Sequence, residues 1–134
     1  MVKLIIGGTG SGKTKELIDQ VNAAVKEEKG SVVCISRGDK LTFDISHDAR
    51  LIDAADYPVS DIAGLLGFVG GLHAGNYDIT ELFIDGILRI IDHDMAAAAK
   101  VLEAIDKITP NIEVVVTVSA DAAELPEDLK KYVI

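Results

Sequence analysis

Gly7-Gly8-Thr9-Gly10-Ser11-Gly12-Lys13-Thr14 is the stretch on which the reading of this chain turns. It follows an apolar run, Val2-Lys3-Leu4-Ile5-Ile6, short and bounded by glycines, as a buried strand would be. It precedes a segment where Leu17, Ile18, Val21, Ala24 and Val25 recur at helical spacing, with Lys15, Glu16, Asp19, Lys26, Glu27 and Glu28 on the other face. Gly30 is a stop signal, so the spacing predicts a helix over residues 13–29. A strand, a glycine-rich loop and a helix starting at a lysine bring backbone N–H groups together on a phosphate. The glycines allow the backbone conformations this needs, and the helix N-terminus adds partial positive charge.

Working outward, residues 31–36 form a second β-branched run, expected as a buried strand. Residues 37–57 are less regular. Leu41-Thr42-Phe43-Asp44-Ile45 alternates with period two and is expected as a short edge strand, with Arg50-Leu51-Ile52-Asp53-Ala54 as another. After Pro58, Ser60 is the expected cap of a second helix carrying Ile62, Leu65, Leu66 and Val69 on one face. Gly64, Gly67, Gly70 and Gly71 weaken that helix, which should end near Gly75-Asn76. Glu81-Leu82-Phe83-Ile84-Asp85 reads as the third buried strand, and Asp94 as the cap of a long helix through Thr109. Residues 112–118 are the most strand-like of the chain. An acidic segment follows with one helical turn after Pro126, and Tyr132-Val133-Ile134 reads as a last short strand. Alternating strands and helices pair in parallel through right-handed crossovers. The expected fold is therefore α/β: a three-layer α/β/α sandwich with a mainly parallel five-stranded sheet, one domain over residues 1–134.

Composition supports this and excludes some functions. With 134 residues there is room for one ordinary domain, and 49% hydrophobic content supplies a core. Aromatic residues make up only 4%, with no Trp, so the core must be Val, Ile, Leu and Ala. A net charge of −9 opposes nucleic acid and anionic membrane surfaces, so neither is an expected partner. No run approaches the roughly 20 apolar residues of a membrane span, and residues 1–6 are too short for a signal peptide's apolar region. A cytoplasmic protein, complete as it stands, is expected. The single cysteine, Cys34, lies within an apolar run and reads as a small buried hydrophobe.

The chemistry is carried by the loop and one carboxylate. The stretch matches the Walker A pattern G-x-x-x-x-G-K-[ST] in full. Gly8, Thr9, Gly10, Ser11 and Gly12 would cradle phosphate, Lys13 would span the β- and γ-phosphates, and Thr14 would offer its hydroxyl to Mg²⁺. Asp85, ending a buried strand, is the expected magnesium-side carboxylate, reaching the ion through water. Lys13 and Asp85 are the catalytic candidates. Many related enzymes carry a glutamate after this aspartate as the base; here the residue is Gly86. Asp92, His93 and Asp94 could supply a substitute base, though Asp94 also suits a helix cap. Thr117 and Ser119 are expected either to sense the γ-phosphate or to satisfy local backbone groups. Among Arg37, Arg50 and Arg89, the first choice for phosphate or substrate contact is Arg37, after the second strand. His47 and His73 read as surface or turn residues. No guanine-reading Asn/Thr-Lys-x-Asp motif occurs, which leaves ATP as the expected nucleotide.

With these residues in hand, the segment Gly12-Lys13-Thr14-Lys15-Glu16-Leu17-Ile18 resembles the loop-to-helix region of the tetrameric, zinc-containing thymidine kinase family. Ser46-His47 and Ile84-Asp85-Gly86 are similar to that family's Ser-His pair and Ile-Asp-Glu strand end, and the likeness runs over roughly residues 2–118. The resemblance implies a RecA-like core with strand order 5-1-4-3-2, counting the core strands at residues 2–6, 31–36, 81–85, 112–118 and 132–134, and Mg-ATP as phosphate donor. Two departures stand out. The family's catalytic glutamate is Gly86 here, and its zinc module and thymidine-binding loop have no counterpart, since one cysteine cannot build that zinc site. The loop string is also similar to that of twitching motility and secretion ATPases. Two classes of function follow: an ATP-binding switch or very slow ATPase, read by a protein partner or a second copy, and alternatively a small-molecule or nucleoside kinase-like phosphotransferase.

Overall fold

The computed structural model describes residues 1–8, 10–27 and 30–134. The strands are β1 (Val2–Gly7), β2 (Ser31–Ser36), β3 (Arg50–Asp53), β4 (Ile79–Ile84) and β5 (Glu113–Ser119). The helices are α1 (Lys13–Glu27), α2 (Ile62–Gly75), the single turn α3 (Ile87–Ile90) and α4 (Ala98–Ile108). The named strands all pair in parallel among the described residues, and the sheet order is β1-β5-β4-β2-β3. Beyond β1, Val133 makes one parallel bridge to Leu4. The expected order 5-1-4-3-2 therefore holds, with Val133 in the outermost place and β3 added at the far edge. That last segment is a single bridge rather than a strand.

Side-chain alternation along the strands divides the core into two layers. Leu4, Val33, Ile35, Leu82, Ile84, Val114 and Val116 face α2 and α4, where Leu65, Val69, Val101, Leu102 and Ile105 cover them. Ile5, Val32, Cys34, Phe83 and Val115 face the other way, onto Leu17, Val21 and Ala24 of α1. Leu41, Ile45 and Ala49, from the segment between β2 and β3, complete this second layer. The result is a sheet with helices on both faces.

Several local expectations are corrected. Leu41–Ile45 is not an edge strand but a turn, in which the Ile45 N–H donates to the Leu41 carbonyl at 3.1 Å. That geometry buries Leu41 and Ile45, four apart, and leaves Phe43 fully in solvent. Arg50–Asp53 does form a strand. Helix α2 is capped by Asp61 rather than Ser60, because Ile62 is the first helical residue and the Asp61 carboxylate accepts from the Gly64 N–H. Its end at Gly75, with Asn76 as cap, is as expected. Asp94 does cap, accepting from the Ala97 N–H at the head of a short 3₁₀ turn that leads into α4. The turn after Pro126 is present at Glu127–Tyr132. The expected end of the first helix at Lys29 lies outside the described residues.

Candidate nucleotide site

Residues at the C-terminal ends of three strands fall on the α1 face because each continues an alternation set by the core. Ile5 leads to Gly7, Phe83 to Asp85, and Val115 to Thr117 and Ser119. The start of α1 lies over this same edge, where open parallel sheets hold their ligands. A cavity of about 290 Å³ opens there, lined by Gly10, Lys13, Thr14, Lys40, Asp85, Gly86, Arg89, Thr117 and Ser119.

The loop owes its shape to its glycines. Gly10 and Gly12 take positive φ of 81° and 88°, which other residues resist. A Cβ on Gly7 would lie 2.1 Å from the Ser11 hydroxyl oxygen, so a larger residue there would push the Ser11 side chain aside. Ser11 N–H donates to the Gly8 carbonyl at 3.1 Å, and the Lys13 ammonium reaches back to the same carbonyl at 3.3 Å. Thr9 lies outside the described residues.

Opposite the loop, Asp85 is held by a network. Its carboxylate accepts a 2.8 Å hydrogen bond from the Thr117 hydroxyl, which in turn accepts from the Gly86 N–H at 2.7 Å. The Thr14 hydroxyl approaches the same carboxylate oxygen at 3.4 Å, and the Arg89 guanidinium meets the other oxygen at 3.5 Å. Thr117 is fully buried, its donor engaged by Asp85 and one acceptor lone pair by the Gly86 backbone N–H, which lie 32 and 31 residues away in sequence. Ser119 is exposed at the cavity rim. Cys34 is buried and inert: burial, with the nearby Asp85 charge, pushes its thiol up to about 12.

Three cations, Lys13, Lys40 and Arg89, line this cavity around one carboxylate, in a chain with an excess of nine negative charges. That concentration suits a polyanionic ligand. The residues also fit a magnesium ion. Thr14 and Asp85 present a hydroxyl and a carboxylate side by side. No described group of three His, Cys, Asp or Glu could hold a metal alone, so phosphate oxygens and water would complete its shell.

Other candidates lie elsewhere. Arg37 does not line the cavity; it is exposed beside Asp53, whose carboxyl is held below its usual range by the Gly38 and Ala55 N–H groups, with a smaller contribution from Arg37. Asp92 and Asp94 line a separate hollow with Asp61, and none of Asp92, His93 and Asp94 lines the cavity beside the loop. Reading the sequence missed Lys40 and Arg89. Arg89 had one signal, its place four residues after Asp85; Lys40 had none.

No protein-family model matches this chain, and no curated protein does. Among solved structures the chain is similar to the flagellar accessory protein FlaH from Methanocaldococcus jannaschii, with a TM-score of 0.62 and 19% identity over 97% of this chain. It spans 65% of the length of that structure. The likeness establishes the α/β, RecA-like fold. No helix among the described residues is long and apolar enough to cross a membrane.

Proposed function

We propose that this chain is a Mg-ATP-binding switch whose intrinsic turnover is very slow or absent. One observation carries it. Thr14 and Asp85, 71 positions apart, meet at 3.4 Å beside a glycine loop and a lysine on one cavity. In this reading Gly8, Gly10, Ser11 and Gly12 offer backbone N–H groups to phosphate. Lys13 leaves the Gly8 carbonyl to neutralise the β- and γ-phosphates. Thr14, directly, and Asp85, through water, would hold magnesium, which would screen the phosphate charge.

The same cavity argues for a switch over an enzyme. A general base must stand within hydrogen-bond reach of the attacking water or hydroxyl. Among the described lining residues Asp85 is the only carboxylate, and Thr117 and Arg89 already engage it. Position 86, where a neighbouring glutamate would stand, is glycine. Affinity for phosphate does not depend on that base, so binding survives without chemistry. A partner protein or a second copy of the chain would then read the bound state.

Calorimetry with Mg-ATP, alongside phosphate release, tests this on wild type and Lys13→Ala. Losing the charge-assisted phosphate contacts should weaken binding about 100-fold. Wild-type protein should release no phosphate above background. Steady turnover on the scale of ordinary ATPases would replace the switch with an enzyme. Absence of any binding by wild type would remove the nucleotide altogether.

A further inference from the structure

The turn after β4 contains an arrangement that phosphate binding alone does not require. Asp85 is 1% exposed, and its two oxygens face different neighbours. One is fixed by Thr117 at 2.8 Å and borders Thr14. The other meets Arg89 in a single, loose contact of 3.5 Å. Arg89 is 40% exposed, and only its backbone is tied down, its N–H donating to the Gly86 carbonyl at 3.0 Å. Gly86 makes this possible. A Cβ there would lie 2.6 Å from one guanidinium nitrogen and 2.7 Å from another, so any side chain at 86 would force Arg89 away from Asp85. The space beside the carboxylate, empty of a glutamate, is filled by an arginine.

We propose that Arg89 reads the terminal phosphate: it neutralises Asp85 while no metal is bound, and turns to the γ-phosphate of a nucleoside triphosphate when a divalent cation takes Asp85. The proposal deepens the Mg-ATP reading above and rests on it. A buried carboxylate needs a compensating charge, and Arg89 is the cation the structure puts against it. A divalent ion at Asp85 removes that need and repels the guanidinium. The released side chain already lines the phosphate cavity, where its planar donor fork suits phosphate oxygens better than a lone carboxylate contact. With a diphosphate the guanidinium has no terminal group to meet. ATP and ADP therefore leave Arg89 in different places, at a half-exposed position that a partner can touch.

The test compares Mg-ATP and Mg-ADP affinities by calorimetry, and measures Mn²⁺ demand in the presence of ADP by electron paramagnetic resonance. Wild type, Arg89→Met and Arg89→Lys are used, with circular dichroism to confirm folding. Arg89→Met should lose about tenfold in ATP affinity with ADP affinity nearly unchanged. Its half-saturating Mn²⁺ should fall severalfold, because the competing cation is gone. Arg89→Lys keeps a charge against Asp85 and should retain the wild-type metal demand while losing part of the ATP preference. A side chain that merely supports the fold would weaken both nucleotides together. An unchanged ATP-to-ADP ratio in both variants, or a raised Mn²⁺ demand in Arg89→Met, overturns the proposal while leaving Mg-nucleotide binding intact. If wild type binds neither nucleotide, the underlying reading fails first.

Discussion

The loop between β1 and α1 and the turn between β4 and α3 border the same cavity by opposite means. The loop presents backbone, shaped by glycines at positive φ and supported by contacts within seven residues of chain. The turn presents side chains, and its parts come from far apart: Asp85 from the end of β4, Thr117 from β5, Thr14 from α1. The loop's shape is thus local and self-contained, whereas the carboxylate opposite it depends on the whole sheet keeping register. Substitutions in the two regions should therefore fail differently, the loop losing ligand and the turn losing both metal preference and stability.

Asp85→Asn should separate the two most strongly after Lys13→Ala. An amide keeps a partner for the Thr117 hydroxyl but loses the charge that holds the cation. Mn²⁺ affinity in the presence of ATP should drop about 10- to 100-fold. Metal-free nucleotide binding, dominated by the loop and Lys13, should change far less. Equal losses with and without metal would mean that Asp85 supports the fold and not the ion.

Thr117→Val addresses stability more than binding. Valine fills the same volume but leaves the Gly86 N–H, a 2.7 Å donor in a buried position, without its acceptor. It also removes the tightest bond on Asp85. A buried unsatisfied donor costs about 1–3 kcal/mol, so the melting temperature should fall by about 5–10 °C. Thr117→Ser, which keeps the hydroxyl, should recover most of that loss. A valine variant as stable as wild type would show that water reaches Gly86.

These differences also explain what could be read from the chain alone. Gly7 to Thr14 is legible because its pattern lies in neighbouring residues of the sequence, and the buried runs flanking it carry their own periodicity. The sheet order needed the resemblance as well. At Leu41–Ile45 the spacing was ambiguous: positions 41 and 45 lie on one side in both a strand and a helical turn, and only the exposure of Phe43 separates the two. Ser60 and Asp61 are both capable caps, one residue apart. Arg89 lines the cavity and Arg37 does not for a three-dimensional reason, since Arg37 leaves β2 beside Asp53 while the short helix α3 turns Arg89 back over Asp85. Asp85 itself was legible as a strand-end carboxylate, but its partners were not.

The smallest expected effect compares two glycines directly, in protein free of nucleotide. Gly10 and Gly86 both have positive φ, at 81° and 68°. Alanine at either position should cost about 1–2 kcal/mol from left-handed backbone strain. Beyond that they part. Nothing lies within 4 Å of a Cβ on Gly10, whereas one on Gly86 meets the Arg89 guanidinium at 2.6 Å. Gly86→Ala should therefore melt a few degrees below Gly10→Ala. It should also reproduce the lowered Mn²⁺ demand of Arg89→Met in the presence of ADP with Arg89 still present, because the methyl group displaces the guanidinium from Asp85. If Gly86→Ala keeps the wild-type metal demand, the glycine serves only the tight turn into α3, and the room it leaves for Arg89 has no bearing on how the cation is held.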